Sequence, residues 1–377
     1  TTVLIDALDE APSFKEGDAV DRVFMALERA GYPHFVLSCR VEDWQGATGT
    51  SMIREHYGTP PLELYLTPLD RPQIEQFFAH SVGADKATSA YAYYEERQLE
   101  EWLGNPQTLE MVERVAREGK FPETSSELFE QFIDLCWRDS NDIKREANKS
   151  LPTKETVLDI LGSAFAQLIL TGSRALVLAS ASEIATSEYS VDNLESLPGV
   201  TSWADAAGNR LIRTIPGEDK RFTYLHRRIG EYLGAQWLSK YANTTVKRER
   251  LLNRLSQNGI VPASLRGIFG WLSLDSHLAK HIITTDPMAV VEYADADCFD
   301  EEYGRILLEA LGQLARDNPW FRDWKTHRAK ALVRGNLLHQ SMRIISTDES
   351  PFHLRMTLLE QLQGENYNNE IIDQLKT

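Results

Sequence analysis

The chain has 377 residues, 42% of them hydrophobic and 25% charged, and a net charge of −16. That acidity argues against a sequence-independent nucleic-acid binder or a protein held to anionic membranes by charge. No apolar run approaches the roughly 20 residues of a membrane-spanning helix. Three well-separated cysteines, Cys39, Cys136 and Cys298, make no disulfide or zinc framework and suit a reducing cytoplasm.

The chain opens on TTVLIDALDE, where Val3-Leu4-Ile5 predicts a buried strand that runs into Asp6, Asp9 and Glu10. A helix follows over Ala19–Ala30, with Val20, Val23, Phe24 and Leu27 on one face, and Gly31-Tyr32-Pro33 ends it. A second apolar run, Phe35-Val36-Leu37, closes in Ser38-Cys39-Arg40, and the three elements read as a βαβ unit of a parallel sheet covered on both faces. Leu62–Leu66 predicts a third strand. From Asp70 to about Asn141 the pattern is helical: Ile74, Phe77 and Phe78 share a face, then Leu99, Trp102 and Leu103, then Leu109–Val115 and Leu128–Trp137. Gly104-Asn105-Pro106 punctuates this stretch, and Pro106 suits the first turn of a helix.

Between Leu151 and Tyr241, helical patterns at Val157–Leu170 and about Val191–Leu197 precede two short strands, Leu211–Ile215 and Arg221–Leu225, around Pro216-Gly217. A helix bearing Ile229, Tyr232, Leu233 and Trp237 follows, and helices with a hairpin suggest a winged helix. The rest is helical with short breaks (Leu251–Leu255, Leu265–Leu272, Leu278–Ile283, Met288–Tyr293, Tyr303–Ala315, His327–Leu338, Leu354–Leu362 and Ile371–Leu375), in the manner of an α-solenoid without a clean period. The expected fold is mixed and mainly α, in four parts: a partial α/β core over 1–69, a helical domain over 70–145, a winged helix over 146–243 and helical repeats over 244–377.

Strand C-termini in open α/β sheets face the ligand crevice. A carboxylate there can hold Mg²⁺ against nucleotide phosphates, and a second one just beyond can polarise an attacking water. Asp6, Asp9 and Glu10 fit that use; equally, Asp6 could cap a helix with Asp9 and Glu10 solvated. Arg40 follows the second strand and would project from the same sheet edge, where a guanidinium can neutralise a terminal phosphate. The alternative is a surface pair with Glu42 or Asp43. Two histidines in His277-Leu278-Ala279-Lys280-His281 lack the glutamate of a zinc protease, which leaves a solvated helix face.

Five segments in order give a resemblance that covers about residues 1–241. TVLIDALDEA resembles the Walker B segment of STAND-class P-loop NTPases, the NACHT branch in particular, and VLSCR resembles their sensor strand, with Cys39 where Ser or Thr is usual. LELYLTPLDRPQIEQFF is similar to the entry to their helical domain, LGNPQTLEMV to its Gly-x-Pro motif, and FTYLHRRIGEYLGAQWL to their winged-helix segment. The resemblance implies that Asp6 holds Mg²⁺, that Glu10 with Asp9 positions water, and that Arg40 reads the γ-phosphate. It further implies that Pro106 packs on the base and that His226 reaches a phosphate of ADP and locks a resting state. Without it, Pro106 is a plain helix start and His226 a hinge between hairpin and helix.

A G-x-x-x-x-G-K-[ST] loop is absent from the sequence; Gly46-Ala47-Thr48-Gly49-Thr50-Ser51 contains glycines but no Lys and lies downstream of the acids. In this family the Walker A loop precedes Walker B, so the chain is expected to be a fragment that needs an upstream segment to bind ATP or ADP with Mg²⁺. The implied function is a cytoplasmic, ATP/ADP-switched signalling protein. It would sense a trigger ligand through its repeats and self-oligomerise to activate an effector, in prokaryotic antiphage defence. The alternatives are a nucleotide-dependent transcription regulator and a helical scaffold with a vestigial nucleotide site.

Overall fold

The computed structural model describes residues 2–5, 18–38, 46–64, 66–82, 90–94, 103–119, 122, 124–146, 152–179, 185, 187–215, 220–296, 299–318, 332–333 and 337–362. They are mainly helical, with two small sheets.

Strands β1 (Thr2–Ile5) and β2 (His34–Leu37) pair in parallel across helix α1 (Asp18–Arg29), so the expected βαβ unit is present. Phe24 and Leu27 of α1 pack with Ile53 of α2 (Gly46–Tyr57) against Val3, Ile5 and Phe35. Among the described residues, only this face of the sheet is covered. Leu4 and Val36, one residue out of phase, are 78% and 59% exposed, so the sheet is not buried on both faces as the apolar runs suggested. The glycine-containing stretch from Gly46 is the opening of α2. The third strand is corrected. Among described residues, 61–70 pair with no other strand, and Leu62, Leu64 and Leu66 are 84%, 82% and 102% exposed. Among the described residues, alternation there marks an exposed apolar stripe rather than a paired strand.

Helix α3 (Arg71–Val82) starts on a reciprocal cap: Asp70 accepts from the Gln73 N–H and the Gln73 side chain accepts from the Asp70 N–H, both at 2.9 Å. Ile74 and Phe78, four apart, are buried; Phe77, at the edge of the same face, is 39% exposed. Helices α4 (Pro106–Arg117) and α5 (Ser125–Glu146) pack together through Met111, Val112, Val115, Phe132 and Cys136.

Helix α6 (Lys154–Thr171) is capped by Thr153 and closed by Gly172 at φ 64°, a left-handed position that favours glycine. It crosses helix α9 (Arg227–Tyr241) at close range: a Cβ on Gly162 would lie 2.8 Å from the Leu233 carbonyl oxygen and from Trp237 Cβ. Around this pair lie the short helices α7 (Val191–Leu194) and α8 (Trp203–Ala206) and a four-stranded sheet. Its order is β4 (Glu188–Ser190), β3 (Ala175–Val177), β6 (Arg221–Tyr224), β5 (Ile212–Thr214). The hairpin β5–β6 is where the sequence placed it, antiparallel with Arg213 opposite Thr223; its turn, 216–219, lies outside the described residues. Strands β3 and β4 were not anticipated. Glu188, with 1% of its side chain exposed, receives Arg174 at 2.7 Å and Arg221 at 2.7 Å and joins these strands to the hairpin.

Beyond α9 the described helices are α10 (Thr245–Leu255), α11 (Arg266–Trp271), α12 (Ala279–Thr285), α13 (Pro287–Tyr293), α14 (Glu301–Asp317), α15 (Leu338–Ser346) and α16 (Phe352–Gln361). They share one continuous core with α4–α6 and α9. His277 and His281 are both exposed, and His277 sits in the turn before α12 rather than on the same helix. The predicted helix at Ile371–Leu375, and most of that at His327–Leu338, lie outside the described residues. No helix among the described residues is long and apolar enough to cross a membrane.

Candidate functional site

Register places the ends of β1 and β2 together: Ile5 pairs with Leu37, and Ser38 donates its N–H to the Ile5 carbonyl at 2.9 Å. Asp6, Asp9, Glu10 and Arg40 follow these two ends in sequence and lie outside the described residues. Among the described residues no group of three or more His, Cys, Asp or Glu is arranged to hold a metal ion.

The segment after the leucine stripe docks onto the Gly-x-Pro stretch. Leu69 donates its N–H to the Gly104 carbonyl at 2.9 Å, and a Cβ on Gly104 would press on Pro68 at 3.0 Å. Asn105 caps α4 by accepting from the Thr108 N–H at 3.2 Å, which leaves Pro106 at the first helical position, where its missing N–H costs nothing. Pro106 is exposed. Glu110 and Arg114 follow at four-residue intervals, so Pro106, Glu110 and Arg114 line one face of α4.

His226 is the last residue before α9, with extended backbone (φ −132°, ψ 128°) and no capping bond from its side chain. Its backbone carbonyl accepts the Gly230 N–H at 3.1 Å, the first bond of the helix. The ring is turned inward, 7% exposed, against Phe132 of α5 at a centroid distance of 6.0 Å. Arg114 lies over the same Phe132 ring, 5.0 Å from its centroid. Both imidazole nitrogens are buried with no hydrogen-bond partner. Burial holds the imidazole below its ordinary pKa of 6.5; Glu110 pulls the other way, and the Arg213 and Arg114 cations add to the depression. A capping histidine would use a ring nitrogen on the helix start; this one leaves a donor and an acceptor unsatisfied, under the electrostatic influence of Glu110, Arg213 and Arg114. An anion could take the imidazole N–H and be favoured by the two guanidinium groups, with the Glu110 carboxylate opposing it. In this conformation both nitrogens are sealed from solvent, so a ligand reaches them only when the surrounding side chains give way.

Of the residues named from sequence, Pro106 and His226 are described: α4 carries the first, and Glu110 and Arg114 of that same face bear electrostatically on the second. Sequence reading missed Glu110, Arg114 and Arg213. The i, i+4 spacing from Pro106 could have found the first two; Arg213 could not be placed without the strand register.

A second concavity lies at the C-terminal end. A groove of about 1050 Å³ runs between α14 and the pair α15 and α16, with Leu308 and Leu354 in its floor and charges of both signs on its rim, among them Glu309, Glu349, Arg316 and Arg343.

No protein-family model matches this chain, and no curated protein matches it in sequence.

Proposed function

We propose that this chain is part of a nucleotide-switched signalling NTPase of the STAND class, NACHT-like, in which the α4 face and His226 hold bound ADP. The observation that carries the reading is the buried, unpartnered imidazole of His226 against Phe132, whose ring also carries the guanidinium of Arg114 from the α4 face that presents Pro106. In this reading Pro106 packs on the base and His226 donates to a phosphate. Asp6 holds Mg²⁺, Asp9 and Glu10 position water, and Arg40 reads the γ-phosphate. The nucleotide would supply the phosphate charge and magnesium would offset part of it; the chain's part is to bind that charge from two sides, α4 and the β5–β6 hairpin, and so to hold the two together. The C-terminal groove is the place for a trigger ligand, and release of the bound state leads to self-oligomerisation and signalling in the cytoplasm, in the setting of antiphage defence.

The test is ADP binding by the gene product, with whatever sequence precedes Thr1 included. His226→Gln should weaken ADP retention at least tenfold while Mg²⁺-dependent ATP binding, read at Asp6→Ala, fails separately. ADP retention unchanged in His226→Gln refutes the role given to this residue. The sealed ring nitrogens favour one second reading, a helical scaffold with a vestigial nucleotide site, for which neither substitution changes any nucleotide affinity.

A further inference from the structure

Helix α5 is held along its length by residues from distant parts of the chain. At its start the N–H groups of Ser125 and Ser126 donate to the two carboxylate oxygens of Asp295, each at 2.8 Å, across 170 and 169 positions of sequence. Thr124 takes the Glu127 N–H at 3.2 Å. The first three helical N–H groups are thus all occupied, two of them by one residue from beyond α13. A helix start needs such acceptors, and a carboxylate also meets the positive end of the helix dipole. Asp295 is 5% exposed, and its two bonds to α5 are part-buried.

One turn on, the Tyr232 hydroxyl of α9 donates to Glu130 at 2.9 Å. Phe129 of α5, Tyr232 of α9 and Trp271 of α11 meet in a three-way ring cluster with centroid distances of 5.6, 5.6 and 4.9 Å. The next turn carries Phe132, which packs on the His226 ring. Near the far end, the Ser140 hydroxyl oxygen accepts the Arg210 N–H at 3.0 Å, just before β5. The same rigid rod therefore touches the C-terminal helices at its N-terminus and His226 two turns later.

We infer that Asp295 is a latch through which the position of the C-terminal helices sets the environment of His226, with α5 as the connecting rod. Any movement of α11–α13 that withdraws Asp295 takes both acceptors from two part-buried N–H groups, which loosens the first turn of α5. A shift of α5 moves Phe132 off His226. The latch stands whether or not a nucleotide binds; on the reading proposed above, it is the route by which a ligand in the C-terminal groove loosens ADP.

The 377-residue chain tests this without any ligand. Amide hydrogen exchange is compared for the wild type, Asp295→Asn, Ser125→Pro and the double variant, and the titration of His226 is followed by ¹³C-histidine NMR. Proline is tolerated at the first helical position and deletes one of the two donors without touching Asp295. Asp295→Asn should speed exchange over 125–129 at least tenfold and leave α6 and α9 protected, while the His226 titration moves up toward its ordinary value. The double variant should add less than twofold to Asp295→Asn, because both changes act on one contact. If Asp295→Asn does not fold, Ser125→Pro alone carries the same expectation at one bond. Exchange at 125–129 within twofold of wild type overturns the latch, as does acceleration spread equally over α6 and α9. An unmoved His226 titration overturns the coupling.

Discussion

Replacing His226 by leucine should make this protein more stable, the reverse of what a core histidine with satisfied nitrogens would give. A neutral imidazole carries one donor and one acceptor, and both are buried here without partners. Each such group costs about 1–3 kcal/mol relative to an apolar group in its place. Against that stand an imperfect fit of the new side chain, up to about 1.5 kcal/mol, and the lost ring contact with Phe132, about 0.5–1.5 kcal/mol. The balance is a gain of about 1 kcal/mol at pH 8, read as a rise in the denaturant midpoint of the transition that includes α5 and α9. The pH dependence has a definite sign. The folded-state pKa lies below the unfolded value of 6.5, so the folded protein resists a proton that the unfolded chain accepts. This residue's contribution is complete above pH 6.5 and is lost as pH falls below 6.5 toward the folded value, at up to about 1.4 kcal/mol per pH unit. The advantage of His226→Leu should therefore widen between pH 7 and pH 5.5. A loss of more than about 1 kcal/mol that is equal at pH 8 and pH 5.5 refutes the reasoning, since it would mean that the nitrogens are satisfied and the ring is a packing element.

Gly162→Ala should destabilise the α6–α9 crossing by about 1–3 kcal/mol, seen as a lower melting temperature, because the added methyl meets the Leu233 backbone and Trp237 at 2.8 Å. Glu188→Gln should cost about 1–3 kcal/mol at neutral pH, less than a fully buried pair would, since Arg174 and Arg221 remain 40% and 33% exposed and can be rehydrated. Arg221 above all holds the Glu188 carboxyl below its usual 4.5, so this stabilisation is present above pH 4.5 and fades as pH falls through the folded value; wild type and variant should converge in acid. Serine at Leu62, Leu64 and Leu66 together should leave the melting temperature of the chain within about 1 °C, because all three are exposed, and should reduce its self-association in light scattering.

Much of the fold was legible because its signals are local. The run Phe35-Val36-Leu37 and the face of Phe24 and Leu27 specify a strand and an amphipathic helix by period alone, and Pro106 opens α4 for the reason that proline favours a first turn. The hairpin followed from two apolar strands around Pro216-Gly217. The errors have local causes as well. Leu62, Leu64 and Leu66 alternate like a strand, but a strand needs a hydrogen-bonded neighbour, and alternation does not say whether one is beside it. Strands β3 and β4 are three residues each, too short to show any period.

The residues Pro106 and His226 could be singled out from the sequence, but their chemistry could not. Whether a histidine is a cap, a hinge or an unpaired imidazole depends on what surrounds its two nitrogens, and those surroundings come from α4, α5 and β5. The same holds for Asp295, an acid among acids in the sequence, whose partners are two backbone N–H groups some 170 positions away. Helix and strand are set by interactions within a few residues, which a sequence displays directly. The pairing of a charge with a distant helix start, and the burial of a ring without a partner, are set by which surfaces meet, and only the packed chain decides that.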